Sequence, residues 1–495
     1  MKRQTVRIFA MILAILMALS GCTTAPAEQT EATDSKTMET DKITGSSKRD
    51  TILRVATLDA TNYTYDNWTQ HFDRWVRKFE AAHRNVDIVV ENMLGTERLQ
   101  TELMAGKGPD IILAPTYAEW HNLNFREPNC PIPISDVNQA MRNGIFYDIS
   151  EFYDADTELN KDALESAVME AGVVDGKRYI LPLRYNLLAA YVDLERFAET
   201  GLSTDLFEKD IISFWNALTE HGNSSLASGA LVRSAYRSEL NLIGDLIDYD
   251  NQEVLLAQET LVEYLQAYQD FLILRGQSDV SDCALLHNYY SVDTKNISGY
   301  SGWMESWKYM FVGGLDFAIH NAVIAKAEGV ELGMYPLRST DGSVTADITF
   351  YGAVTSGCKN PELAYEFLRY FLTEESQWEE NVVTTYNNNS SLMLVGWPVR
   401  VKGSVSAIYD HLSGWIGPIL QTNETVDGFS EEDMPILDVT IDKVRFPTGL
   451  EMSFQYVTAS VYNPFTMTEN EARSINLEKK AEDFIEDLEW HVGEG

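Results

Sequence analysis

The chain has 495 residues, 45% of them hydrophobic and 23% charged, which excludes wholesale disorder and a multi-span membrane protein and sets a prior of two or three domains. With 38 basic against 75 acidic residues the formal charge is −37; a duplex binder needs a basic face to displace counterions, so nucleic acid is excluded as a partner. Four cysteines in this length supply no disulfide framework.

Lys2, Arg3 and Arg7 precede an apolar run from Ile8 to Leu19, about a dozen residues against the roughly twenty that a spanning helix needs. The run ends in Leu19-Ser20-Gly21-Cys22, which resembles the lipobox of bacterial lipoproteins. That resemblance implies cleavage after residue 21 and a diacylated Cys22. From Thr23 to Asp50 there is no aromatic residue, so the segment buries too little apolar surface to offset ordering entropy and reads as a tether. The expected location is the outer face of the cell membrane, with the chain held by its lipid.

Beyond the tether, Thr51–Leu58 reads as a strand rich in branched residues. Trp68, Phe72, Trp75 and Phe79 then fall on one helical stripe. Val86–Val90 is a second strand, Arg98–Ala105 a short helix and Ile111–Ala114 a third strand. This alternation predicts a parallel sheet with helices on its faces. Ligands collect at the carboxyl ends of such strands, so the segments following Leu58 and Ala114, with Asp59, Tyr117 and Trp120, are candidate ligand loops. Gly176–Asn186 reads as extended with Pro182 in its middle, followed by a new strand over Leu187–Val192. Helices are expected over Asp205–Leu218 and Thr260–Leu274, a strand over Val330–Tyr335, a polar loop over Arg338–Asp347 and a strand over Phe350–Val354. Asn360-Pro361-Glu362 opens a helix whose buried face is Ala364, Phe367, Leu368 and Phe371. The capping box Thr468-Glu469-Asn470-Glu471 opens the last helix.

Several of these segments together resemble a family 1 extracellular solute-binding protein, the carbohydrate-binding lipoprotein of an ABC importer, similar to maltose-binding proteins. They are the lipobox at Cys22, the Phe79–Ile88 stretch, Leu103-Met-Ala-Gly-Lys-Gly-Pro-Asp-Ile-Ile112 and Gly176–Pro182. Met334-Tyr-Pro-Leu337, Tyr351–Val354, Lys359–Leu368 and Ser376-Gln377 complete the series. The likeness is close to about residue 380 and loose beyond it. It implies a type II periplasmic-binding-protein-like α/β fold in which crossover strands join two lobes and the ligand cleft lies between them. Residues 51–182 plus 348–398 would form one lobe, and 187–337 plus 402–495 the other, after a signal peptide (1–21) and a tether (22–50). The partners implied are a carbohydrate, an oligosaccharide above all, and the permease subunits, with the receptor itself a monomer and no cofactor.

A sugar presents C–H faces that stack on aromatic rings and hydroxyls that pair with carboxylates, amides and guanidinium groups. Trp303, Glu305 and Trp307 answer that description, and the resemblance places a sugar-stacking Trp in this region. The spacing of the two Trp equally suits a helical core stripe. Tyr236 and Arg237 are a second candidate pair. Arg184 and Tyr185 flank the crossover and are candidates for sensing closure; Trp397, Phe454 and Tyr456 are weaker ones. No nucleophile elbow, zinc-protease, Walker or dinucleotide motif is present, so the reading is a binding protein that does no chemistry. Asp154–Glu165 imitates a calcium loop but has Leu159 where the turn wants Gly, and Asn160 reads better as a helix cap. Cys130, Cys283 and Cys358 leave at least one thiol outside any intramolecular pair. The acidic charge disfavours a phosphate or sulfate as solute, while local potential can differ from net charge. A receptor for a cationic solute such as a polyamine, a surface glycoside hydrolase, whose paired acids have no fixed motif, and an adhesion or scaffold lipoprotein stay open as alternatives.

Overall fold

The computed structural model describes residues 50–57, 66–92, 97–116, 134–230, 239–277, 309–315, 318–378, 396–400, 405, 409, 428–463 and 466–493. The chain opens with β1 (Thr51–Thr57), β2 (Val86–Asn92) and β3 (Ile111–Pro115), with β1 paired in parallel to both others. The helices Asp66–Ala82 and Glu97–Met104 connect them, as the alternation requires. Phe72 and Phe79 of the first helix are buried. Trp75 stacks on Tyr370 with ring centroids 3.7 Å apart. The side chain of Trp68 lies outside the described residues.

A tight hairpin, β4 (Val173–Val174) and β5 (Lys177–Arg178), turns through Asp175 and Gly176, both at positive φ, and leads into β6 (Ile180–Asp193). Here the structure differs from the two segments expected: β6 is one strand of 14 residues that runs through Pro182, every residue buried. Proline is tolerated because, among the described residues, the strand is paired on one side only there. β11 (Thr345–Val354) pairs along one edge, whereas β12 (Trp397–Pro398) meets only Tyr185 and Arg184 on the other. The hairpin β7 (Ile247–Asp248) and β8 (Glu253–Val254) stands apart. β9 (Met310–Gly314) and β10 (Leu332–Pro336) pair antiparallel with the second half of β6, and β13 (Lys443–Arg445) pairs in parallel with β11. The class is α/β, built on one nine-stranded mixed sheet with central order β10-β6-β11-β3-β1-β2.

Three local expectations shift. Asp205–Leu218 divides into a 3-10 turn, Thr204–Glu208, and a helix, Ile211–His221, because the Asp210 carboxylate caps the second piece through Ser213 N–H. The Thr468–Glu471 capping box forms, but it closes a separate five-residue helix, Glu469–Arg473, before the long Leu477–Gly493 helix. Asp347 lies inside β11 rather than in a loop. Among the described residues no helix is long and apolar enough to cross a membrane.

Contacts tie Arg49–Gly495 into one unit, yet its buried apolar side chains gather in two cores. The first surrounds β1, β3, β11 and β6 as far as Tyr191, with Phe311, Leu315, Ala318, Ala322 and Met334, the Pro361–Arg369 helix and side chains from Phe429 to Phe446. The second takes Leu188, Ala190 and Val192 from β6 and packs them on the helices Ile211–His221, Gln258–Arg275 and Leu477–Gly493. Beyond Leu187 β6 lies between the two cores, with Ala189 and Tyr191 turned to the first and Leu188, Ala190 and Val192 to the second.

Candidate functional site

The middle of β6 carries buried polar groups, Arg184 and Asn186, that a strand interior ordinarily avoids. Arg184 stands opposite Phe350 of β11 and Pro398 of β12. Its side chain is 3% exposed. Nη2 donates to the Gln377 carbonyl at 3.1 Å, and Nε has no partner. Burial brings its pKa down to about 9. Tyr185, opposite Ile348 and Trp397, is buried as well, and burial, with Glu165 adding to it, raises its phenol above the usual range. Asn186 accepts a hydrogen bond from Leu315 N–H at 2.6 Å through Oδ1. Asp347, the register partner of Asn186, receives Arg445 Nε at 2.5 Å, and Arg445 Nη1 also pairs with Glu451 at 2.9 Å.

β3 ends against the same crossover. Thr116 donates its amide to the Thr349 carbonyl at 2.9 Å and its hydroxyl to the Ile348 carbonyl at 2.8 Å. Gly396 sits at φ +117, where a Cβ would lie 2.6 Å from both Thr349 Oγ1 and the Tyr185 carbonyl. Only glycine allows β12 to approach this closely. The buried atoms Thr349 Oγ1 and Trp397 Nε1 have no hydrogen-bond partner, and neither does Thr57 Oγ1 at the end of β1. Arg400, 6% exposed, donates Nε to the Leu372 carbonyl at 3.3 Å, and its amide meets Gln377 Oε1 at 3.5 Å.

Of the residues singled out from the sequence, the structure describes Arg184 and places it in this cluster. Asp59, Tyr117, Trp120, Tyr236, Arg237, Trp303, Glu305, Trp307 and the lipidation candidate Cys22 lie outside the described residues, as do Cys130 and Cys283; Cys358 is buried with its thiol free. The segments 58–65 and 117–133 leave the carboxyl ends of β1 and β3. Phe454 is a second-core side chain and Tyr456 is exposed. Arg400, Thr57 and Thr349 have no local sequence signal, and only the close approach of Gly396 brings the last of these to the start of β12.

The calcium-like stretch is a structural brace. The Asp156 carboxylate accepts from Glu158 N–H, Leu159 N–H and the Tyr365 hydroxyl, and pairs with Arg369. Asn160 precedes a 3-10 turn without a side-chain cap bond, and it is Glu165 that accepts from Ala167 N–H. Among the described residues no group of three or more His, Cys, Asp or Glu side chains is placed to hold a metal ion. A second polar knot links the two cores: Asp136, buried beside first-core Val137, accepts from the Tyr249 hydroxyl at 2.8 Å and from His491 Nε2 at 2.7 Å, both on elements that pack with the second core.

No family model and no curated protein matches the chain. Among solved structures it is similar to an extracellular solute-binding protein family 1 member from Alicyclobacillus acidocaldarius, at 14% identity over 90% of this chain and 100% of the other, with a TM-score of 0.46. It is also similar to a de novo designed cysteine esterase, at 14% identity over 90% and 99% of the two chains, with a TM-score of 0.50. A third is an ABC substrate-binding protein from Listeria monocytogenes in complex with cycloalternan, at 11% identity over 90% and 99%, with a TM-score of 0.44. At such identities the likeness concerns the fold.

Proposed function

We propose that the chain is a solute-binding receptor of an ABC importer, moored outside the cell membrane by lipid on Cys22, and that it binds a carbohydrate, most fittingly an oligosaccharide, and hands it to the permease without altering it. The observation that carries this reading is the shared strand: β6 borders both apolar cores, Ala189 and Tyr191 turned to the first and Leu188, Ala190 and Val192 to the second. A strand common to two cores is a natural hinge, and a ligand that touches both halves at once shifts the population toward a closed form. In this proposal 51–182 and 348–398 form one lobe and 187–337 with 402–495 the other; the cores do not follow that division, since Phe311, Leu315, Ala318, Ala322, Val323 and Met334 pack in the first. The stretch from Phe429 to Phe446 goes with the first core and Leu450–Leu488 with the second.

In this reading Asp59, Tyr117 and Trp120 line the cleft from the first half, Tyr236, Arg237, Trp303, Glu305 and Trp307 from the second, and Arg184 stands at the crossover. The test is a saccharide panel followed by thermal melts and calorimetry on the purified chain. A ligand that binds only the folded form raises the melting temperature. Trp303→Ala and Trp307→Ala should each weaken that ligand, by about 5- to 100-fold for loss of a stacked ring. A panel without any shift contradicts the reading. Cys22→Ala should release the protein from the membrane fraction.

A further inference from the structure

Three segments that join the two cores meet at one guanidinium. The first is β6, where Leu187 packs in the first core and Leu188 in the second. The second is the turn from Leu337, in the second core, to Val344, in the first, which leads into β11. The third runs from Phe446, in the first core, to Leu450, which opens the second-core helix Leu450–Ala459.

Register sets Asn186 of β6 opposite Asp347 of β11, and Asp347 opposite Arg445 of β13. The Arg445 guanidinium engages through all three nitrogens. Nε and Nη2 donate to the Asp347 carboxylate at 2.5 and 3.4 Å, and Nη1 stands 2.9 Å from Glu451 Oε1. Asp347 lies on the sheet, whereas Glu451 lies on the helix beyond the third segment. Asn186 extends the link by accepting Leu315 N–H at the end of β9. The third segment has a tie of its own, since Gly449 N–H donates to the Ser135 carbonyl at 3.2 Å, next to Asp136. The Arg445 charge also acts on the Tyr249 phenol, which is bonded to Asp136. The two polar links between the cores are therefore neighbours.

Asp347 and Glu451 are both buried. Desolvation offsets most of the attraction in a buried ion pair, so apolar groups of the same volume would stabilise the fold about as well. A buried pair does specify an arrangement, because a wrong placement leaves a charge without its partner. The planar fork of an arginine adds a preferred direction that an ammonium lacks. A guanidinium that grips a strand along one edge and a helix of the other core at its tip fixes the angle between them.

We infer that Arg445 is the pivot of the hinge: a positioning residue that holds β11 and the Leu450–Ala459 helix at one angle and confines the motion of the halves to rotation about this point. It acts without touching the solute. This rests on the receptor reading above, in which the halves close about β6.

Native-state amide exchange on the purified full-length chain, with no saccharide present, tests it. Glu451→Gln keeps the Asp347–Arg445 pair and removes the charge at the second-core end. We expect the Leu315 and Gly449 amides to exchange about 10- to 100-fold faster than in the parent. Residues 53–55 of β1 and 265–271 of the Gln258–Arg275 helix should stay within about threefold, so that the junction loosens between two intact cores. Arg445→Met should give the same pattern more strongly, and Arg445→Lys should fall between it and the parent. Arg445→Met leaves Asp347 buried without its guanidinium; if that chain does not fold, Glu451→Gln decides alone. Exchange that rises equally at all these places, exchange that rises at none, or a Glu451→Gln chain that does not fold would each overturn the inference. Because no solute enters the measurement, its failure leaves the receptor reading standing, whereas a saccharide panel without any shift removes that reading and leaves the link between the cores.

Discussion

Single residues set the tolerances of the crossover. Gly396→Ala adds a Cβ at φ +117, in direct collision with the Tyr185 carbonyl and Thr349 Oγ1. A loss of about 2 to 4 kcal/mol is expected, from backbone strain plus overpacking, and a urea melt reads it directly. Asp156 offers a pH signature. Burial alone would raise its pKa, but hydrogen bonds from Leu159, Tyr365 and Glu158 and the charge of Arg369 outweigh that and hold it below the ordinary carboxylate value. A carboxylate depressed in the folded state contributes stability that is present above its unfolded value, near 3.9, and that fades as pH falls through the folded one. Asp156→Asn should therefore be less stable than the parent at pH 7, with the gap narrowing below about pH 4 in chemical denaturation at a series of pH values. A gap that stays constant down to about pH 2 would contradict this account. Neither residue was legible as important in the sequence. Gly396 depends on how near β12 comes to Tyr185 and Thr349, and Asp156 stood inside an apparent calcium loop until Tyr365 and Arg369 were seen to reach it from a distant helix.

At the scale of elements, local patterns were dependable wherever one face of a helix or strand decides the structure. The Phe72–Trp75–Phe79 stripe lies on the Asp66–Ala82 helix as spacing dictates, and it meets Phe367, Tyr370 and Phe371 from the far end of the chain. Trp75→Ala removes a half-buried stacked ring and should cost about 2 to 4 kcal/mol. Pro182 misled because proline usually ends a central strand, and only the length of β12 shows that β6 is unpaired on one side there. The Thr468 capping box is a true start signal, but of the five-residue helix Glu469–Arg473 rather than the last one, since nothing local reveals the break at Ser474–Asn476. Thr468→Ala should cost about 1 kcal/mol and should leave the Leu477–Gly493 helix intact, which amide exchange can resolve. The position of Arg184 in the crossover segment is visible in the sequence, but its bond to the Gln377 carbonyl comes from a residue 193 positions away, and no residue near it in sequence announces that.

Across the whole molecule, two cores share one strand and are held together by a few polar struts. The knot of Asp136, Tyr249 and His491 is the clearest of these, and burial with the Asp136 charge raises the Tyr249 phenol above its usual range. Asp136→Ala leaves three donors, the Tyr249 hydroxyl, His491 Nε2 and Gln139 N–H, without their acceptor and should cost about 2 to 5 kcal/mol. It should also loosen the halves, increasing the radius of gyration of the ligand-free chain in X-ray scattering. The division expected from the order of segments does not predict that Phe311, Ala318 and Val323, or Phe429–Phe446, pack in the first core, because no periodic pattern in those stretches says which core they join. The most direct measurement is X-ray scattering on the full-length chain with and without a saccharide whose binding calorimetry has established. The account predicts a smaller radius of gyration in the bound state, as the halves fold inward about β6. A profile that does not change when the ligand is bound would contradict it.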